Sequence, residues 1–94
     1  DTHGGIRKTM DGPEGEALVL VSTDAQGTYE TRIYLYQNNI VQEYALAGSY
    51  YTPSKATVLA QSSTFSFEYH DGLLYIHTDA GTTMVALRNM QGGA

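Results

Sequence analysis

The chain has 94 residues, of which 41% are hydrophobic, and its five Lys and Arg against ten Asp and Glu give a net charge of −5. This length predicts one domain, residues 1–94. The excess of acids weighs against a nucleic-acid partner, because neutralising phosphates requires clustered cations. The chain has no Cys, which excludes disulfides, thiol catalysis and zinc sites built on thiolate.

The two ends of the chain carry little structural signal. The sequence opens DTHGG rather than with Met, which we interpret as the loss of an N-terminal segment. Residues 1–5 and 89–94 are expected to fray. No apolar run of roughly 18 residues occurs, so the chain as given is not expected to span a membrane.

Short runs rich in Val, Ile, Thr and Tyr recur along the chain between Gly, Asn and Asp residues, a pattern typical of strands. The predicted strands are, in chain order, Ile6–Met10, Ala17–Thr23, Thr28–Tyr36, Ile40–Leu46, Ala56–Ala60, Thr64–His70, Leu73–Thr78 and Thr82–Arg88. The sequence therefore predicts an all-β fold, an antiparallel meander of about seven or eight short strands. The meander is expected to form a curved sheet or a small sandwich.

In the N-terminal half, two turns set the register of three strands. A tight turn at Gln37–Asn38 and a loop at DAQG each join two alternating runs. The pairs predicted from these turns are Leu35 with Ile40, Arg32 with Glu43, Leu18 with Ile33, and Leu20 with Thr31.

In the C-terminal half, Asp71–Gly72 predicts a two-residue hairpin, because a type I′ turn needs positive φ at both central residues. This turn sets Phe67 opposite Ile76. One face of the hairpin is then apolar, and it carries Phe65, Phe67, Tyr69, Leu74 and Ile76. Since a slip of one residue would turn this face to water, the register is well specified.

A further turn is predicted at Ala80–Gly81. It sets Ile76 opposite Val85 and Leu74 opposite Leu87, so that the apolar face continues across a third strand.

The stretch FEYHDGLLYIHTDAG raises the question of a metal or catalytic site, since it holds His70, Asp71, His77 and Asp79. The hairpin register directs both imidazoles outward, with neither directly facing a carboxylate or another imidazole. The turns account for both aspartates. Because a metal site needs three or four converging ligands, we predict no metal-binding and no cofactor-binding residue here, and His3 in the Gly-rich opening adds nothing.

The remaining polar residues form no recognisable catalytic pattern. The chain has no GxSxG motif, and no turn places a Ser beside a His. Glu43 and Glu68 lie on strands without a cleft to bring them together, as a glycosidase would require. The DGPEGE loop carries acids that repel phosphate. We therefore predict no catalytic residue and no enzymatic activity.

Eight Tyr and no Trp stand in this short chain. Strands favour Tyr, which packs on a pleated surface with its hydroxyl in water. In the predicted register, Tyr34, Tyr36 and Tyr75 fall on the face opposite the apolar one. We predict that these three tyrosines form a contact surface that is covered by a partner, a glycan or a missing segment.

The segments EALVLVSTDAQGTYETRIYLYQNNIVQEY and FSFEYHDGLLYIHTDAGTTMVALR resemble an uncharacterised family of small Gram-positive, prepilin-like surface proteins. The resemblance spans residues 15–88 and rests on hairpin-forming patterns, with no catalytic residue among them. It implies an extracellular, cell-surface-anchored β-rich head that follows an apolar N-terminal helix. This chain lacks that helix, so membrane contact is expected only through the missing segment.

The resemblance implies a non-catalytic head domain that serves assembly, adhesion or secretion. Its expected partners are further copies of the chain or other pilin-like subunits, because aliphatic and Tyr residues occupy both faces of the strands. Pairing of a partner strand with a free sheet edge is a further possibility. The alternative is a small carbohydrate- or peptide-binding β module that uses Tyr34, Tyr36 and Tyr75 as a stacking platform.

Overall fold

The computed structural model describes residues 2–86 and the side chains of residues 5–84. Eight strands and one short 3-10 helix, Pro53–Lys55, make up its regular structure. The strands are β1 Thr2–Gly12, β2 Gly15–Asp24, β3 Gly27–Tyr36, β4 Asn39–Leu46, β5 Thr57–Gln61, β6 Ser66–His70, β7 Leu73–Thr78 and β8 Gly81–Ala86. No helix within residues 2–86 is long and apolar enough to cross a bilayer.

The strands form two antiparallel sheets, and each follows the order of the chain. The first sheet has the order β1-β2-β3-β4-β5 and the second has the order β6-β7-β8. The all-β prediction is therefore confirmed, and the choice between one sheet and two is settled as two. Each sheet is a meander, because strands that follow one another in the chain are neighbours in the sheet.

The first strand begins earlier than the sequence predicts. Thr2, His3 and Gly5 pair with β2 residues Thr23, Ser22 and Val21, where fraying of residues 1–5 was expected. Register shifts interrupt β1 between His3 and Gly5 and again between Thr9 and Gly12. The predicted frayed end at residues 89–94 lies outside the described residues.

Two hairpin turns have positive φ at both central residues, which was predicted for Asp71–Gly72. At one turn the φ angles are 52° for Asp71 and 82° for Gly72, and at the other they are 49° for Gln37 and 64° for Asn38. Positive φ at both central residues matches the right-handed twist of the flanking strands. The registers predicted around these two turns are confirmed, including Arg32 opposite Glu43 and Phe67 opposite Ile76.

The prediction of a turn at Ala80–Gly81 is wrong by one position. Thr78 pairs with Gly81, so the turn residues are Asp79 and Ala80. The Thr78 side chain fixes this turn, because its Oγ1 accepts from the Ala80 N–H at 3.1 Å and donates to the Gly81 carbonyl at 3.2 Å.

The pairing of β8 shifts accordingly by two residues. Ile76 lies opposite Thr83 and Leu74 opposite Val85, whereas Leu87 lies outside the described residues. A shift of two residues does not exchange the faces of the sheet, so Leu74 and Ile76 stay on the face predicted for them.

The two sheets pack against each other through one apolar cluster. Its buried members come from both sheets, and they are Leu18, Leu20, Ile33, Ile40, Phe67 and Leu74. Half-buried neighbours extend it, and they are Ile6, Leu35, Phe65 and Ile76. Burying each large aliphatic or aromatic side chain contributes roughly 1.5–3 kcal/mol, so this cluster is the main source of stability.

The opposite face of the first sheet is covered by the segment between β4 and β5. Ala17, Tyr34 and Val41 form a second buried cluster there, and Tyr51 and Ala56 of that segment pack against it. The central strands β2, β3 and β4 are therefore covered on both faces. This explains why the middle of β2 is a continuous run of apolar residues.

Candidate functional site

The histidine cluster on the second sheet differs from the prediction. Glu68 lies between the two imidazoles, since its Oε1 is 3.0 Å from His70 Nε2 and its Oε2 is 3.5 Å from His77 Nε2. Neither histidine lies directly opposite a carboxylate, as predicted, but the prediction missed that both contact Glu68. His70 is two residues from Glu68 on the same strand, and His77 reaches it on the diagonal across the hairpin, a distance that long side chains span.

This cluster lies at the surface. Glu68 and His70 are exposed, and His77 also bonds through Nδ1 to the Thr82 hydroxyl at 2.9 Å. The hydrogen bond with His70, together with the nearby His77, holds the pKa of the Glu68 carboxyl below its usual range. Within the described residues, no group of three or more His, Asp or Glu side chains is arranged to hold a metal ion.

Asp79 is tied to a neighbouring loop. Its Oδ2 accepts from the Ser63 N–H at 2.7 Å and from the Ser63 hydroxyl at 2.8 Å. These two bonds hold the pKa of the Asp79 carboxyl below its usual range. The aspartate therefore fastens the β5–β6 loop to the β7–β8 turn.

The three tyrosines of the predicted contact surface lie apart. Tyr34 is fully buried on the first sheet, Tyr36 is half-buried beside it, and Tyr75 is half-buried on the second sheet. Tyr34 cannot contribute to an exposed stacking platform, because the segment between β4 and β5 covers the face on which it lies. The three tyrosines therefore do not share one exposed face, which a common contact surface would require.

Next to Tyr34, the first sheet buries an arginine. Arg32 is only 1% exposed, and its guanidinium uses every nitrogen. Nε donates to Glu30 Oε1 at 2.9 Å, and Nη1 and Nη2 donate to the carbonyls of Tyr50 and Ser49 at 3.2 and 2.8 Å. The planar fork of Arg suits this multiple recognition in a way that Lys could not.

Two buried carboxylates balance the arginine. Glu30 also accepts from Arg7 Nη2 at 2.9 Å, and Glu43 Oε2 lies 3.8 Å from Arg32 Nη1. Glu43 accepts in addition from the Tyr34 hydroxyl at 2.7 Å. Burial first, and then this bond to an anion, raises the pKa of Tyr34 well above its usual range.

The buried side chains of Arg32 and Glu43 bind the main chain of the β4–β5 loop. The Thr52 N–H donates to both Glu43 oxygens, at 3.0 and 2.9 Å, and Arg32 Nη2 also approaches the Leu46 carbonyl at 3.4 Å. The Tyr51 ring lies over the Arg32 guanidinium at 4.3 Å and meets the Tyr34 ring edge-on at 5.1 Å. Residues 46–52 are therefore held at both ends by charged groups of the sheet.

A groove opens beside this loop, with a volume of about 530 Å³. It is lined by Arg7, Asp11, Pro13, Glu30, Arg32, Gly48, Ser49, Tyr50 and Tyr51. Tyr50 is 93% exposed at its rim, although its own carbonyl is held by Arg32. Polar groups and aromatic rings converging on one concavity are typical of a small-ligand site.

Sequence reasoning missed the buried network and this groove. The predicted cross-strand pair of Arg32 and Glu43 was correct, but nothing in the pairing showed that it was buried. The available signal was the alternation of Glu30, Arg32 and Tyr34 on the face that carries Val41, because a charged residue on an apolar face needs a partner.

The edge strand β5 is the other feature with functional potential. All five of its residues are exposed, and among residues 2–86 it pairs only with β4. It carries no charged side chain, and two of its exposed residues are the large apolar Val58 and Leu59. An uncharged edge strand of this kind is a template for pairing with another strand.

Comparison with known proteins gives one match. A family model described as "Domain of unknown function (DUF4860)" matches residues 1–81, which include all of β1 to β7. No curated protein matches the chain, and no solved structure matches it.

Proposed function

The chain belongs to the DUF4860 family, and we propose that it is a non-catalytic head domain that assembles with copies of itself through the edge of β5. The observation that carries this proposal is that all five β5 residues are exposed, with Val58 57% and Leu59 50% exposed. The resemblance of its strands to prepilin-like surface proteins supports an extracellular setting. In that setting an apolar helix N-terminal to this domain is the anchor.

The other edge of the first sheet is a poorer surface for self-pairing. β1 carries Arg7, Lys8 and Asp11, whereas β5 has no charge from Thr57 to Gln61. Charges on an edge oppose edge-to-edge pairing, and their absence permits it. Of the two edges of the first sheet, β5 is therefore the better surface for assembly.

A second copy of the chain is the partner that fits this edge. Two β5 strands related by a two-fold axis and centred on Leu59 pair Thr57 with Gln61 and Val58 with Ala60, which places no charge opposite another charge. The chain's net charge of −5 opposes self-association over most of the surface, and the neutral edge avoids that repulsion. The two five-stranded sheets then become one continuous sheet.

The lack of catalysis in this proposal is supported by how the buried acids are used. Both oxygens of Glu30 accept from arginines, and those of Glu43 accept from Tyr34 and Thr52. A general base needs a carboxylate oxygen within reach of substrate. The two glutamates instead hold the β4–β5 loop in place, Glu43 by accepting from Thr52 and Glu30 by pairing with Arg32.

Sedimentation of the purified domain at micromolar concentrations tests the proposal. We expect a concentration-dependent dimer of twice the 10.2 kDa chain mass, and we expect Leu59→Lys to remain a monomer because two cations would then meet at the centre of the pairing. Met84→Lys is the matched control, since Met84 is exposed on β8 and far from β5 in the topology. A wild-type domain that stays monomeric at every concentration contradicts the proposal.

A further inference from the structure

Tyr50 is an exposed aromatic ring on a loop that the buried network makes rigid. Its side chain is 93% exposed, yet the main chain on both sides of it is bonded to the sheet. Arg32 holds the carbonyls of Ser49 and Tyr50, and Glu43 holds the N–H of Thr52. An apolar ring kept in water by a fixed main chain is presented for contact and loses little conformational entropy on binding.

Beside Tyr50, the residues that line the groove include polar side chains. Arg7 is half-exposed there, and only its Nη2 is bonded to Glu30 at 2.9 Å. The remaining guanidinium donors, together with the exposed Asp11 carboxylate, offer a donor and an acceptor to a ligand. Groups of this kind match pairs of neighbouring hydroxyls, which both donate and accept.

The lining excludes some ligand classes. Among residues 5–84, no Leu, Ile, Val, Met or Phe lines the groove, so this lining offers a peptide no apolar pocket for an anchoring side chain. An anionic ligand would be repelled by the carboxylates of Asp11 and Glu30. The exposed cation of the groove, Arg7, is already paired with Glu30. A neutral ligand with one apolar face and many hydroxyls fits better.

From these features we propose that the groove binds a neutral oligosaccharide, with the C–H face of one sugar ring on Tyr50 and its hydroxyls on Arg7 and Asp11. The stacking uses the apolar face of the Tyr ring, which is the common use of an exposed Tyr whose polar end stays wet. The groove lies on the face of the first sheet that the loop covers, so this inference stands independently of pairing through β5.

Titration with soluble neutral oligosaccharides, glucose oligomers and N-acetylglucosamine oligomers among them, tests the inference by calorimetry and tyrosine fluorescence. We expect at least one neutral series to bind the wild-type domain. Tyr50→Ala is expected to weaken that binding about tenfold, because losing an aromatic stack of roughly 1.4 kcal/mol corresponds to that factor. Tyr50→Phe keeps the ring and is expected to bind as the wild type does.

Matched measurements separate this inference from its competitors. Tyr44→Ala removes another exposed tyrosine, which is not among the residues that line the groove, and is expected to bind normally. Leu59→Lys should also bind normally, and Tyr50→Ala should still form dimers, so that failure of one proposal is distinguishable from failure of the other. The inference is overturned if no neutral sugar binds, if only uronate oligomers or peptides bind, or if Tyr50→Ala binds sugar as tightly as the wild type.

Discussion

Replacing Arg32 with Met removes the cation at the centre of the buried network while keeping a side chain of similar length. Glu30 Oε1 and the Ser49 carbonyl lose their bonds to the guanidinium, and Glu43 loses its nearest positive charge. Removing one partner of a buried ion pair costs about 3–5 kcal/mol. Glu30 keeps Arg7, and Glu43 keeps Tyr34 and Thr52, so we expect a loss near the lower end, about 3 kcal/mol.

Urea denaturation followed by circular dichroism measures this loss. A domain of this size has a total stability of roughly 5–15 kcal/mol, so the shift in midpoint should be large. Lys8→Met is the matched control, because the Lys8–Glu16 pair, 3.2 Å apart, has a largely exposed lysine, and exposed pairs contribute under about 1 kcal/mol. A loss for Arg32→Met as small as that of the control would refute the claim that the network holds the loop.

Two further perturbations test local features of the fold. Asp79 has a lowered pKa, so its contribution to stability is present at neutral pH and is lost as pH falls below about 4. The Tm advantage of the wild type over Asp79→Asn should therefore shrink on acidification, and an advantage that stays constant would contradict the role of Ser63. Gly72 has a φ of 82° with open space around it, so Gly72→Ala adds strain without a clash. The expected cost is about 1 kcal/mol in the free energy of unfolding, which lowers the urea midpoint. An unchanged midpoint would show that the turn is not of the type described.

The sequence predicted the strands and most of their register because local signals determine them. At Asp71–Gly72 and Gln37–Asn38, two residues with positive φ fix how the flanking strands meet, and alternation then assigns each side chain to a face. The turn after β7 was placed one position late, since a Thr side chain and not a turn dipeptide determines it. Bonds from Thr78 to Ala80 and Gly81 leave no distinctive pattern in the sequence.

The candidate sites could not be predicted in the same way because they depend on contacts across the fold. Burial of Arg32 and Tyr34 results from the β4–β5 loop folding over the first sheet, and alternation is silent about what covers a face. Glu68 contacts His77 on the diagonal, whereas register arguments consider residues directly opposite one another. The exposure of Tyr50 likewise follows from the loop, which no periodicity describes.

Oxidative cross-linking tests the central claim, pairing through β5, most directly. The chain has no Cys, so Leu59→Cys introduces the single thiol. Residues directly opposite in an antiparallel pair lie about 4.5–5.5 Å apart between Cα atoms, within the roughly 4.4–6.8 Å that a disulfide spans. We predict a covalent dimer of Leu59→Cys under mild oxidation and little for Met84→Cys at the same concentration. Equal cross-linking of the two variants would contradict the account.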